Sequence, residues 1–248
     1  MKFSVSLAAI LLLFTCMTPH VLADETNDLK DPKAIEILNE MAAYVSAQDK
    51  VVITGEVSSD ARLGAGLMVS NPTELTVKID RPAAISIKSF DGINARKIYL
   101  DSGRLTVFNT ERNFYAHADV PKDIEEGMMA ALEEFDVDAP LLELFFPDTA
   151  LEILQGDAEV MYLTDKSRIG GVNCHHIVMR GAEADVQMWI SEGSQPVPRK
   201  IQVTMKWESG SPRFSAILDW KPVDSFDAGA FDFKPPEGAQ EIQFIGSK

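Results

Sequence analysis

The residue types able to do acid–base, nucleophilic or metal chemistry are few in this chain, and their spacing is unhelpful for most of it. His175 and His176 are adjacent, and successive side chains of a strand point to opposite faces, so the pair is a poor tandem ligand for one metal. His117 and Asp119 would share a strand face and still need a third ligand from a neighbouring strand; a solvated or hydrogen-bonded histidine is the plainer reading. The carboxylate pairs Glu125-Glu126 and Glu133-Glu134 fall on the wet side of a helical pattern, where acids keep a face solvated rather than transfer protons. The sequence contains no Gly-x-Ser-x-Gly elbow, no phosphate-cradling glycine loop, no Cys-x-x-Cys pair and no His-Glu-x-x-His helix. These residues imply no cofactor and no metal, and point away from an enzyme; a hydrolase ranks third among the readings.

What the chain has in excess is apolar and adaptable. Methionines 128, 129, 161, 179, 188 and 205 accompany Trp189, Trp207 and Trp220. Most of these would serve any core, but methionine-rich walls also suit irregular lipophilic guests because the unbranched side chain adapts its shape. Burying one methylene is worth about 0.8 kcal/mol, so a 16-carbon acyl chain offers on the order of 10 kcal/mol with no catalytic group at all. A carrier needs a cavity and a cover, and no nucleophile.

Composition sets the compartment and class. With 46% hydrophobic and 25% charged residues, the 248-residue chain has an ordinary globular balance. Its net charge of −15 argues against nucleic acid, whose affinity comes mainly from Lys and Arg displacing counterions, and against an anionic bilayer surface. Met1-Lys2, the apolar run from Val5 to Phe14 and Val21-Leu22-Ala23 read as a secretory signal peptide cleaved after Ala23, so the mature chain is expected to be exported. A rival reading lipidates Cys16, but Phe14 and Thr15 are poor residues to precede a lipobox cysteine. The apolar run is short for a membrane span and nothing later approaches one, so an integral membrane protein is not expected. Cleavage would remove Lys2 and no acid, moving the net charge to −16, and would leave Cys174 alone. The fold must then be held by its core rather than by disulfides, with Cys174 either a small buried side chain or a reactive thiol.

The elements that would position these residues follow from periodicity. Asp31-Pro32 caps an amphipathic helix whose face carries Ile35, Leu38, Met41, Ala42 and Val45 and which ends near Gln48. Two-residue alternation then marks strands at Val51, Ile53 and Val57, at Leu75, Val77 and Ile79, at Ile85 and Ile87, and over residues 97–100, 105–108 and 114–118. Ile124, Met128, Leu132 and Phe135 recur at helical steps and define a second amphipathic helix. Leu141, Leu142, Leu144, Phe145 and Phe146, between Pro140 and Pro147, are apolar almost all round and must be buried or cover something apolar. Strands resume over 159–164, 172–180, 185–190, 200–207, 213–220 and 241–245, with Ile201, Val203, Met205 and Trp207 the cleanest alternation in the chain. Pro196 and Pro198 introduce one of these strands, which gives Arg199 and Lys200 a structural rather than catalytic place. The class is mainly β with α: one curled antiparallel sheet of about ten or eleven strands, residues 24–248 forming a single domain.

Gly171-Val172-Asn173-Cys174-His175-His176-Ile177, Gln187-Met188-Trp189-Ile190, Pro196-Val197-Pro198-Arg199-Lys200-Ile201 and Phe231-Asp232-Phe233 with Pro235-Pro236-Glu237-Gly238-Ala239 occur in this order. Together with Asp31-Pro32-Lys33-Ala34, Arg81-Pro82, Tyr115-Ala116 and Ala139-Pro140-Leu141, they resemble a family of predicted periplasmic proteins of unknown function in the superfamily of the LolA and LolB lipoprotein carriers. The resemblance implies an unclosed half-barrel covered by helices around a hydrophobic cavity that, in the carriers, accepts acyl chains. The carriers' cavity arginine and the exposed apolar loop residue of LolB find no securely matching motif here. The expected role is a periplasmic, non-enzymatic binding protein for a lipid, acyl chain or lipoprotein; the contrasting class is an envelope protein-interaction or structural module. Ile124, Met128, Leu132, Phe135, Leu141, Leu142, Leu144, Phe145, Phe146, Trp189, Met205 and Trp207 are the expected cavity or cover residues. Whether the segment from Leu141 to Phe146 is a movable cover or a fixed core plug stays open at this point.

Overall fold

The structure, a computed structural model, describes residues 29–137, 139 and 141–245. The leader, its cleavage after Ala23, residues 24–28 and Pro140 lie outside the described residues. Helix α1 (Pro32–Ser46) starts as expected: the Asp31 carboxylate accepts a hydrogen bond from the Lys33 amide at 2.8 Å, and Pro32 occupies the first turn, where a missing N–H costs nothing. Its buried face is Ala34, Ile37, Leu38, Met41, Ala42 and Val45, with Ile35 half-buried on the flank.

The chain then forms β1 (Lys50–Arg62), β2 (Met68–Asp80), β3 (Ala84–Phe90), β4 (Ala95–Asp101), β5 (Arg104–Asn109) and β6 (Phe114–Asp119). Helices α2 (Ile124–Phe135), α3 (Leu142–Phe145) and α4 (Pro147–Asp157) follow. The sheet resumes with β7 (Ala158–Leu163), β8 (Ser167–Ile169), β9 (Val172–Gly181), β10 (Ala184–Ser191), β11 (Pro198–Met205), β12 (Arg213–Pro222) and β13 (Gln240–Glu241). All belong to one 13-stranded sheet in the order β13-β6-β5-β4-β3-β2-β1-β12-β11-β10-β9-β7, with β8 paired to β9. The two blocks of strands are joined by the antiparallel β1–β12 pair, from Val51 opposite Pro222 to Ser59 opposite Phe214. The sheet is curled and its end strands do not meet.

Alternation decides which face is wet. Val51, Ile53 and Val57, Leu75, Val77 and Ile79, Ile85 and Ile87, and Ile98 and Leu100 are buried in one cluster with the α1 face, Ile124, Met128 and Phe145. That face is the concave one, and the four helices lie on it. At Gly55, opposite Leu75 and Leu218, a Cβ would sit 2.1 Å from the Ile217 carbonyl oxygen. No rotamer relieves a clash with backbone, so Gly55→Ala should lower unfolding free energy by about 3 kcal/mol, the upper end of ordinary overpacking costs. Urea denaturation would check this; an unchanged midpoint would mean that the strands are not pressed together there.

The structure differs from the sequence expectation in several places. β1 and β2 run on to Arg62 and Met68, because the polar stretch Ser58-Ser59-Asp60 pairs as strand without any apolar alternation to mark it. Helix α4 has no counterpart in the periodicity: it is short, and it is held by packing on α1 and by Gln155, whose amide donates to Asn39 Oδ1 at 3.0 Å. The three-residue β8 is likewise unmarked. Residues 241–245, expected as a strand, contribute only the Gln240–Glu241 pair, parallel to β6, and the chain beyond is irregular. Among the described residues no helix is long and apolar enough to cross a membrane.

Candidate functional site

The helices bury most of the expected cavity residues. Ile124 and Met128 pack into the core from α2, while Leu132, expected on the same stripe, is 37% exposed because the buried face turns through Gly127 and Ala131. Phe135 is half-buried against Phe244, ring centroids 4.9 Å apart. Leu141, Leu142, Leu144, Phe145 and Phe146 are all buried in the main cluster. Their backbone is tied down by Arg81, which donates to the Phe145 carbonyl at 2.6 Å and to the Gln48 carbonyl at 3.2 Å, with its guanidinium 5.8 Å from the centre of the Phe146 ring.

Open apolar space lies at one end of the concave face. A groove of about 390 Å³ is lined by Leu154 of α4, Met179 of β9, and Ala184 and Val186 of β10, together with Ala158, Ala182 and Trp207. Asp157 and Glu183 border it. Trp207 is 59% exposed, one of the most exposed large apolar side chains described. It follows β11 rather than belonging to it, and so escapes the alternation that buries Ile201. Met205, half-buried opposite Ala184, is the neighbouring concave-face position.

Trp189 lies elsewhere. The sequence places it on the cavity wall, but Met188 and Ile190 take that face and turn Trp189 to the convex side, between His176 opposite on β9 and Lys200 opposite on β11. The His176 ring stacks on it at 4.2 Å and 8°, and the Lys200 ammonium is 4.6 Å from the ring centre. His175 points the other way, its Nδ1 4.0 Å from the Glu192 carboxylate. Pro198 begins β11, two residues earlier than expected, and its carbonyl accepts from Trp220 Nε1 at 2.9 Å. Arg199 pairs with Asp219 across to β12. Cys174 is fully buried, and burial pushes its thiol pKa up, which keeps it protonated and a weak nucleophile. Among the described residues, no group of three or more His, Cys, Asp or Glu could hold a metal ion.

His117 Nδ1 is 2.7 Å from the Thr106 hydroxyl on the convex face. Burial and, next, the Arg104 guanidinium lower its pKa below the usual histidine value. A base with a lowered folded-state pKa binds fewer protons folded than unfolded. Its contribution is therefore present above the unfolded value of about 6.5 and lost as pH falls through the folded one. His117→Gln should accordingly flatten the dependence of melting temperature on pH between about 7 and 5; an identical slope in the variant would contradict this environment.

Residues 34–245 match a family described as predicted periplasmic proteins, DUF2092. The chain belongs to this family. No curated protein matches it. Among solved structures, this DUF2092 protein is similar to an uncharacterised conserved protein from Thermus thermophilus, with 10% identity, 85% of this chain and 99% of that one covered, and a TM-score of 0.48. It is also similar to the Mycobacterium tuberculosis lipoprotein LppX, with 8% identity, 80% and 100% coverage, and a TM-score of 0.47. A LolA superfamily protein from Nitrosomonas europaea gives 12% identity, 81% and 97% coverage, and a TM-score of 0.37.

Two features of the DUF2092 protein escaped the sequence. Arg81 reads only as part of an Arg-Pro turn, and nothing in its local pattern announces a contact 64 residues away. The groove wall from α4 is missed with the helix itself, although the Ala150, Leu151 and Leu154 spacing was available as a cue.

Proposed function

We propose that this protein is a non-enzymatic periplasmic binding protein whose mature chain, residues 24–248, acts as one domain and holds a single acyl chain or similar lipid tail in the groove beside Trp207. The observation that carries the reading is the groove itself: about 390 Å³, with apolar walls from α4, β9 and β10, and open to solvent. That size falls in the range of small-molecule sites. The solved neighbours overlap too loosely to transfer a ligand. In this reading Leu141, Leu142, Leu144, Phe145 and Phe146 act as a plug that backs the site, Ile124, Met128 and Phe135 seat α2 over the sheet, and Trp207 covers the guest. Native mass spectrometry of protein taken from its own envelope tests it: discrete added masses of lipid support the reading, and a bare chain opposes it. N-terminal sequencing of the same sample should begin at Asp24.

A second reading has its own observation. The tip of the β1–β2 hairpin exposes Leu63, Leu67, Met68 and Val69 together, a patch suited to another envelope protein. The sheet edges favour it less, since β6 is paired with β13 and β7 is bridged by Lys30.

A further inference from the structure

The convex face carries a cationic cleft in a chain with 23 basic and 38 acidic residues. Lys88 of β3 and Lys97 of β4 are directly opposite in register; Thr76 of β2 faces Lys88 from the other side, and Lys78 stands opposite Ser86, which is opposite Tyr99. Val77, Ile79, Ile85, Ile87, Ile98 and Leu100 are buried in the concave-face core, so these alternating residues all point outward. They line a cleft of about 160 Å³, bounded on one side by Ala230 of the segment that follows β12.

Like charges directly opposite on neighbouring strands repel. Among the described residues none of these three ammonium groups makes an ion pair with a carboxylate, whereas Lys50, Lys166 and Lys206 each do. Lys97 Nζ also lies 6.0 Å from the centre of the Phe108 ring. The cleft thus gathers three ammonium groups without ion-pair partners beside the Thr76 and Ser86 hydroxyls and the Tyr99 phenol, all potential donors.

We propose that this cleft binds a phosphate group. Three ammonium ions and three hydroxyls match a dianion with several acceptor oxygens better than a carboxylate, whose single charge would leave two of the three lysines uncompensated. Bound phosphate relieves the Lys88–Lys97 repulsion, so it stabilises the folded chain through mass action. The site stands on the face opposite the groove and does not depend on the lipid reading. A phosphorylated small molecule and a phospholipid headgroup share this chemistry.

The test is a thermal-shift titration of the full mature chain with inorganic phosphate and with glycerol 3-phosphate. Flotation with phosphatidylcholine vesicles, with and without phosphatidic acid, accompanies it. Lys88→Gln, Lys97→Gln and the double variant are compared with Lys221→Gln, an exposed lysine near the end of β12. The expected result is phosphate-dependent stabilisation that weakens at least tenfold in apparent affinity in the double variant and is unchanged in Lys221→Gln. The double variant should melt close to wild type without phosphate, because relief of the repelling pair offsets the lost contact of Lys97 with the Phe108 ring. Binding of the soluble anions assigns the site to a phosphorylated small molecule; binding only of phosphatidic acid vesicles, lost in the double variant, assigns it to a headgroup. Absence of both, or binding that survives the double substitution, overturns the proposal.

Discussion

Phe145→Ala is expected to lower the free energy of unfolding by about 3–5 kcal/mol, the usual cost of removing a fully buried phenylalanine and leaving a cavity. For a chain of this length that is a fall in melting temperature of roughly 6–20 °C. Phe145 has no exposed surface, lies in the cluster that joins both blocks of strands, and has its carbonyl held by Arg81. On the proposed reading, a residue so placed acts as a plug. The variant should therefore melt early while binding an acyl probe with the affinity of wild type at temperatures where it remains folded. If it melted normally and changed only the affinity for the probe, the segment would be a movable cover and the plug assignment would be wrong.

The second large effect concerns ligand length. If the groove buries methylenes, saturated fatty acids should gain about 0.8 kcal/mol for each one added, close to fourfold in affinity. The gain should end once the groove is filled. Lengthening the chain by four carbons within the filling range should thus strengthen binding on the order of 200-fold, and further carbons should add little. Competition against a fluorescent fatty acid reads this slope directly. A flat series would mean that the chain is held by its carboxylate or not at all, and the exposed hairpin patch would become the better functional surface.

Much of the fold could be read from the sequence because most elements have one face in the core. The α1 stripe, the Leu75–Val77–Ile79 alternation and the Ile124–Met128 spacing each follow from burial on one side of a regular element, and the structure places each in the same core. Where burial does not write a period, the reading falters. The outer half of β1 and β2 projects with both faces largely wet, and α4 gains its place from α1 rather than from a strong stripe of its own. The site is harder still. Apolar residues that fill a core and those that wall a groove are the same types, so Phe145 and Trp207 look alike until the structure buries one and leaves the other 59% exposed. Trp189 shows the limit most clearly: one residue of register separates the concave wall from the stack between His176 and Lys200.

If a lipid tail lies in the groove among Leu154, Met179, Ala184 and Trp207, as proposed, filling that groove with a side chain should weaken or abolish binding. Ala184 is a half-buried wall residue at the start of β10, where a larger side chain would enter the groove rather than the core. A fluorescent fatty acid titrated into wild type and into Ala184→Trp, with melting curves of both, is the measurement. Wild type should bind saturably, one to one, and the variant should lose at least tenfold in affinity at an unchanged melting temperature. Equal binding by the two proteins, or none by wild type, would contradict the proposed binding.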